Sequence, residues 1–135
     1  LDDLIRSGKV RYVGTSTFAA WQIAEALWCA DEMRCNRFVT EQPPYNLLDR
    51  RIERELLPLC QSYGIATLPW APLAGGLLSG KYRLGKPRPD GARYAERAAP
   101  FHRDNDHALA AVERYLTFCT SRTVDPAQFA LAWVL

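Results

Sequence analysis

Apolar residues in this chain follow two alternating patterns, short runs typical of strands and stripes with the spacing of helices. The runs are rich in β-branched and aromatic residues, and they predict strands over residues 10–16, 37–42 and 65–70. Each run ends in a residue that can contact a ligand, namely Ser16, Gln42 or Trp70. The pattern therefore predicts three strands with functional groups at their carboxyl ends.

Apolar stripes between these strands predict helices over residues 18–32 and 49–63. Asp49 is the candidate N-cap of the second helix. Pro58 lies inside that stripe, so a bend or a local break is expected there. Gly64 is expected to end the helix.

The polar strand ends are separated by 26 and 28 residues, and each interval holds one amphipathic helix. A parallel strand pair with its crossover helix needs about this length. The repeat therefore predicts parallel strands and an α/β fold. Both a TIM barrel and an open doubly wound sheet fit the repeat. The absence of G-x-G-x-x-G after the first strand counts against a dinucleotide-binding open sheet.

A long irregular loop is predicted over residues 72–105, either as a functional lid or as a disordered segment. Two helices follow, one over residues 106–120 and one that starts at Pro126 with Asp125 as its N-cap. Both ends of the chain fall in predicted helices without caps. We therefore expect the chain to be part of a larger domain.

Composition excludes several function classes. The 135 residues carry a net charge of +2, which is too small to indicate a nucleic-acid partner or a membrane surface. The four cysteines form no Cys-x-x-Cys pair, so no metal site is expected and a reducing cytoplasm is favoured. Cys60 and Cys119 are predicted core thiols. His102 and His107 have no further ligand at a metal-binding spacing.

The segment from Trp70 to Tyr82 suits a phosphate-bearing ligand with a planar ring. Its glycines allow backbone N–H groups to approach phosphate, Lys81 adds a charge, and Trp70 offers a stacking face. Residues 75–81 read G-x-x-x-x-G-K, but Tyr82 replaces the Ser or Thr of a P-loop. Glycine and proline between residues 85 and 89 also disfavour the helix that a P-loop opens, so ATP binding is disfavoured. A glycine-rich surface loop without a ligand remains an alternative.

Ser16, Thr17 and Gln42 fall at strand ends, where α/β proteins bind their ligands. The Gln42 amide can read a carboxamide, because it both donates and accepts hydrogen bonds. Alternatively, Gln42 satisfies nearby backbone groups. Ser16 and Thr17 can equally serve as caps of a helix that starts at Phe18.

Four segments resemble the aldo-keto reductase family, in the order that the family has them. They are residues 8–18 (GKVRYVGTSTF), 41–48 (EQPPYNLL), 68–82 (LPWAPLAGGLLSGKY) and 126–135 (PAQFALAWVL). The branch most similar contains bacterial general reductases and potassium-channel β-subunit-like proteins. The resemblance implies a (β/α)8 barrel that reduces small carbonyl substrates with NADPH. This chain would be a fragment of one such domain, with about strands five to seven, and the remainder of the barrel is expected from missing sequence.

Carried over by position, the resemblance assigns cofactor binding to one set of residues and no catalytic residue to this chain. Ser16, Thr17 and Gln42 would bind the nicotinamide carboxamide, and Trp70 would stack on its ring. The pyrophosphate would be covered by Ala71, Pro72, Leu73, Ala74, Gly75, Leu77, Ser79 and Lys81, with Arg93 reaching from the loop. Thr17 and Ala71 stand where the family usually has Asn and Ser, which weakens two side-chain contacts.

The family's catalytic Asp, Tyr, Lys and His lie on the first four strands, and its adenine 2′-phosphate site follows the eighth. We therefore expect the isolated chain to be inactive as an enzyme. Two alternatives remain: a non-catalytic NADPH-sensing subunit of the potassium-channel β-subunit type, and a structural remnant with no ligand.

Overall fold

The computed structural model describes residues 1–94 and 106–135. Contacts divide the chain into two units. The first comprises Leu1–Pro44 and Arg51–Trp70, and the second comprises Tyr45–Arg50 and Ala71–Leu135. Part of the predicted loop over residues 72–105, including His102, lies outside the described residues.

The first unit contains three parallel strands in the order β1–β2–β3, as the repeat predicts. Its elements are α1 (Asp2–Arg6), β1 (Gly14–Ser16), α2 (Ala20–Glu32), β2 (Thr40–Gln42), a 3-10 helix (Arg51–Glu53), α3 (Leu56–Tyr63) and β3 (Ala66–Thr67). The α/β class with a parallel sheet is therefore confirmed.

The strands are shorter than the sequence predicts, although β1 and β2 end where expected, at Ser16 and Gln42. A segment is a strand only where a neighbour pairs with it. The residues that directly precede β1 and β2 are already joined, because the Val39 N–H donates to the Val13 carbonyl at 3.0 Å. β-branched residues predict extended backbone but not the extent of pairing.

The prediction for α3 is wrong at its start and right at its end. Glu55, with φ −135° and ψ −46°, separates the 3-10 helix from α3, so the break comes before Pro58 and Asp49 is not the N-cap. Pro58 lies in the first turn of α3, where a backbone N–H has no partner within the helix and its loss costs little. Gly64 ends α3 in the left-handed conformation, as predicted.

The core of the first unit is built from α2, α3 and the start of the third predicted strand. Its buried members are Ile23, Leu56, Cys60 and Ile65. Cys60 is 2% exposed, which confirms it as a core thiol. Burial of a Leu or Ile side chain contributes about 1.5–3 kcal/mol, so this cluster fixes both helices against the chain that carries the strands.

In the second unit, a 3-10 helix (Ala74–Ser79) packs with α4 (Asp106–Ser121) and α5 (Pro126–Val134). Both α-helices are predicted, whereas the 3-10 helix is an addition within residues 72–105. The Asp125 side chain accepts a hydrogen bond from the Gln128 N–H at 2.8 Å, which confirms its role as N-cap. The buried core contains Ala74, Leu77, Leu78, Tyr82, Tyr94, Val112, Leu116 and Ala130.

Candidate functional site

The carboxyl ends of the strands present Ser16, Gln42 and Trp70 on one side of the sheet. Ser16 is the register partner of Gln42, and residues paired in this way lie on the same face. Trp70 pairs with Pro44, two residues beyond Gln42, so strand alternation puts it on that face as well. Ser16 and Gln42 are exposed and Trp70 is half-buried. A hydroxyl, an amide and an indole therefore lie on the same face of the sheet.

The turn after β1 is held against β2 through the carbonyl of Gln42. The Ser16 hydroxyl donates to this carbonyl at 3.0 Å, and the Thr17 N–H donates to it at 3.2 Å. Thr17 has φ +61°, a left-handed conformation that is costly for a β-branched residue. Such strain concentrates at functional positions.

The capping alternative for Ser16 and Thr17 is wrong. The N-cap of α2 is Ala19, and no side chain caps it from this turn. The Gln22 side chain instead accepts from the Ala19 N–H at 2.8 Å.

On the opposite face, β2 carries a buried acid that the sequence analysis does not single out. Glu41 is 0% exposed, and its carboxylate accepts hydrogen bonds from the Thr15 hydroxyl and from the Phe18 N–H. The only sequence signal is a glutamate that directly precedes Gln42 in a strand. Alternation places it towards the core when Gln42 faces outward.

The Cys60 thiol lies near the same buried acid. Burial raises its pKa, a hydrogen bond with Thr67 acts against that rise, and the charge of Glu41 adds to it. A raised pKa keeps the thiol protonated and unreactive at neutral pH. Cys60 is therefore a packing residue.

In the second unit, residues 71–81 form a glycine-rich turn with an unusual backbone. Ala71 and Ala74 have φ of +57° and +50°, and Gly75 and Gly76 have φ of +69° and +102°. Asn46, which is 0% exposed, donates through its side-chain amide to the Ala71 carbonyl at 3.0 Å. The sequence analysis includes Asn46 in a family segment but gives it no role.

The glycine-rich turn leaves no room for side chains at its two central glycines. A Cβ on Gly75 would lie 2.3 Å from the Tyr94 hydroxyl, and one on Gly76 would lie 2.7 Å from Lys81 Cε. Lys81 is exposed and lies back over the turn, with Nζ 5.4 Å from the centre of the Tyr82 ring. The missing Cβ atoms therefore let Tyr94 and Lys81 pack against the turn, which places a cation beside its backbone.

The remaining residues assigned to the glycine-rich turn take different positions. Leu77 is 1% exposed and its side chain is part of the core, so only its backbone is left for the predicted role. The Ser79 hydroxyl donates to the Gly76 carbonyl at 2.7 Å. Pro72 and Leu73 are half-buried, and Arg93 is exposed. Residues 80–94 contain no helix, in agreement with the sequence argument against a P-loop.

Neither a metal cluster nor a membrane span is found in the described part of the chain. Residues 1–94 and 106–135 contain no group of three or more His, Cys, Asp or Glu side chains that could hold a metal ion. No helix among the same residues is both long and apolar enough to cross a bilayer.

Comparison with known proteins gives one family and several relatives. The chain matches the family described as "Aldo/keto reductase family" over residues 1–135. It is 40% identical to the uncharacterized oxidoreductase YrpG of Bacillus subtilis over 97% of this chain and 38% of that protein. It is 36% identical to the protein Tas of Escherichia coli, over 96% of this chain and 37% of Tas.

A fungal relative has a more specific name. The versiconal hemiacetal acetate reductase of Aspergillus parasiticus is 31% identical, over 100% of this chain and 39% of the fungal protein. The chain thus spans less than two fifths of the length of each of these three relatives.

Proposed function

Because this chain belongs to the aldo/keto reductase family, we propose that it is part of an NADPH-dependent enzyme that reduces small aldehydes and ketones to alcohols. The observation that carries this proposal is the common face of Ser16, Gln42 and Trp70 at the strand ends. The name of the fungal hemiacetal acetate reductase supports a reductive reaction.

In this proposal the first unit binds the nicotinamide. Ser16, Thr17 and the Gln42 amide hydrogen-bond to the carboxamide, and Trp70 stacks on one side of the ring. When bound, the reduced cofactor supplies the hydride that reduces the carbonyl carbon. The role of this chain is to orient the nicotinamide ring and to leave its other side open to the substrate. This orientation lowers the entropy cost of the reaction.

In the same proposal, the second unit binds the pyrophosphate of the cofactor. Backbone groups of the glycine-rich turn, together with the Lys81 side chain that packs against Gly76, would contact the phosphate oxygens. Lys81 offers an exposed positive charge, and Arg93 a second one. The proposed set is Ala71, Pro72, Leu73, Ala74, Gly75, Leu77, Ser79, Lys81 and Arg93. The choice of NADPH over NADH is supported only by the family.

We assign β1–β3 to the fifth, sixth and seventh strands of a (β/α)8 barrel, the fold of this family. The general acid that protonates the reduced carbonyl would then come from the first four strands. The isolated chain is therefore expected to bind the cofactor weakly and to lack reductase activity. Turnover of 4-nitrobenzaldehyde with NADPH by the 135-residue chain would contradict this assignment.

Tryptophan fluorescence tests the binding proposal directly. NADPH is expected to quench the emission of the wild-type chain, and Trp70→Ala is expected to lose that quenching. Trp28→Ala is the matched control, because Trp28 is 67% exposed and lies towards the carboxyl end of α2, twelve residues beyond Ser16. No quenching in the wild type, or equal quenching in Trp70→Ala, would refute the stacking role. Parallel titration with NADH measures the cofactor preference.

A further inference from the structure

The turn between β1 and α2 needs an explanation for its backbone conformation. Thr17 has φ +61°, and a left-handed residue with a Cβ costs roughly 1–2 kcal/mol. The hydrogen bond from the Thr17 N–H to the Gln42 carbonyl fixes one point of the turn. A strained conformation persists only where surrounding contacts hold it on both sides.

Glu41 supplies contacts on both sides of the strained residue. Its Oε1 accepts from the Phe18 N–H at 3.0 Å, immediately after Thr17. Its Oε2 accepts from the hydroxyl of Thr15, its register partner on β1. Because Glu41 is fully buried, water does not compete for either hydrogen bond.

We propose that Glu41 is a positioning residue that fixes Thr15 and Phe18 and so holds Ser16 and Thr17 in place for the nicotinamide. The ligand in this inference rests on the proposed function, whereas the two hydrogen bonds belong to the free chain. Glu41 lies on the face opposite Gln42, so it acts on the site through the backbone and does not touch the cofactor.

For these two hydrogen bonds, the length of the Glu41 side chain matters more than its charge. In Glu41→Gln, the amide oxygen can still accept from the Phe18 N–H, and the amide nitrogen can donate to the Thr15 oxygen. In Glu41→Asp, the charge remains but the side chain is one methylene shorter and cannot span both partners. A positioning role therefore predicts that Gln rescues the turn and Asp does not.

Amide hydrogen exchange measured by NMR tests this without any cofactor. Glu41→Asp is expected to lower the protection of the Phe18 amide at least tenfold, and Glu41→Gln no more than threefold. The Ile65 amide, which donates to the Cys60 carbonyl at 2.8 Å, reports on the same unit away from the turn and should keep its protection. Equal losses at Phe18 and Ile65, or no loss at Phe18, would overturn the proposal.

Cofactor binding provides the second readout. The dissociation constant for NADPH is expected to rise at least fivefold in Glu41→Asp and less than twofold in Glu41→Gln. Equal changes of the dissociation constant in Glu41→Asp and Glu41→Gln would refute the idea that the length of the Glu41 side chain positions the turn. A wild-type chain that does not bind NADPH would refute the proposed function, while the exchange experiment still decides whether Glu41 holds the turn.

A second variant covers the case in which Glu41→Asp does not fold. Thr15→Val keeps the shape of the side chain and removes only the hydroxyl that donates to Glu41. With one of its two anchors lost, the carboxylate should hold the turn less firmly. We expect Phe18 protection to fall about fivefold, between the two Glu41 variants, with Ile65 unchanged, and unaltered Phe18 protection would overturn the proposal.

Discussion

The side-chain amide of Asn46 donates a hydrogen bond to the carbonyl of Ala71, with 3.0 Å between Nδ2 and the oxygen. The Asn46 side-chain oxygen also accepts from the Leu48 N–H at 2.9 Å, so both ends of the amide are used. Ala71 is the first left-handed residue of the glycine-rich turn. A fully buried side chain thus fixes the point at which that turn begins.

Asn46→Ala is expected to destabilise the second unit by about 1–3 kcal/mol, because the Leu48 N–H loses its partner and the Ala71 carbonyl keeps only the Ala74 N–H as a donor. Urea unfolding followed by circular dichroism measures the change. Gln128→Ala, at an exposed position of α5, removes an amide of similar chemistry and should cost much less. Equal losses for the two variants would show that the Asn46 hydrogen bonds contribute nothing.

Gly76→Ala should disturb both stability and the position of Lys81. The added Cβ would lie 2.7 Å from Lys81 Cε, at a residue with φ +102°. Gly85→Ala is the matched control, since Gly85 is also left-handed, with φ +69°, but has no atom within 4 Å of the added Cβ. We expect Gly76→Ala to cost at least about 1 kcal/mol more than Gly85→Ala in urea unfolding. It should also weaken NADPH binding, and equal effects of the two variants would contradict this.

Local chemistry accounts for the parts of the fold that the sequence predicts correctly. Asp125 before Pro126 specifies a helix start, and Gly64 specifies a left-handed helix end, without reference to any distant residue. The position of Gln42 at a strand end follows in the same way from the apolar run that precedes it. Each of these sequence signals consists of residues that are close neighbours in the chain.

The residues that support the site depend on distant partners. Glu41 acts through Thr15 and Phe18, which are 26 and 23 positions away, and Asn46 acts on Ala71, which is 25 positions away. Nothing in their immediate neighbours indicates these pairings, because register and turn geometry decide them. The break predicted at Pro58 is wrong for a different reason. A proline predicts where a helix is weak, but the first turn tolerates it.

Thr17→Gly is expected to stabilise the free chain, because glycine adopts φ +61° without the cost of a Cβ. The gain should be about 0.5–1 kcal/mol after the greater flexibility of glycine in the unfolded chain is subtracted. Thr17→Ala is the control, since it removes the hydroxyl and the methyl group but keeps the Cβ. Thermal and urea unfolding should rank the glycine variant above the alanine variant. The reverse order would show that the left-handed backbone at this position carries no cost.

The pairing of Arg83 with Glu113 predicts a pH-dependent contribution to the stability of the second unit. Arg83 donates to both carboxylate oxygens, at 2.7 and 2.6 Å. Its hydrogen bonds, the largest cause, and its charge lower the pKa of Glu113 below the ordinary value of 4.5. A lowered pKa in the folded state means that the contribution is present above pH 4.5 and is lost as the pH falls through the folded value. Glu113→Gln should therefore reduce the stability at pH 7 and have little effect once the wild-type carboxyl is protonated.

Urea unfolding at several pH values measures this difference between wild type and Glu113→Gln. Both side chains are partly open to solvent, so the effect should be small and should shrink further in high salt. Arg83→Met should produce a pH profile of the same sign but smaller, because the Leu84 N–H still donates to Glu113 at 3.2 Å. The double variant should cost less than the sum of the single changes, because both remove the ion pair. Additive losses would mean that the two residues stabilise the unit independently, and a difference that grew towards low pH would reverse the expected sign.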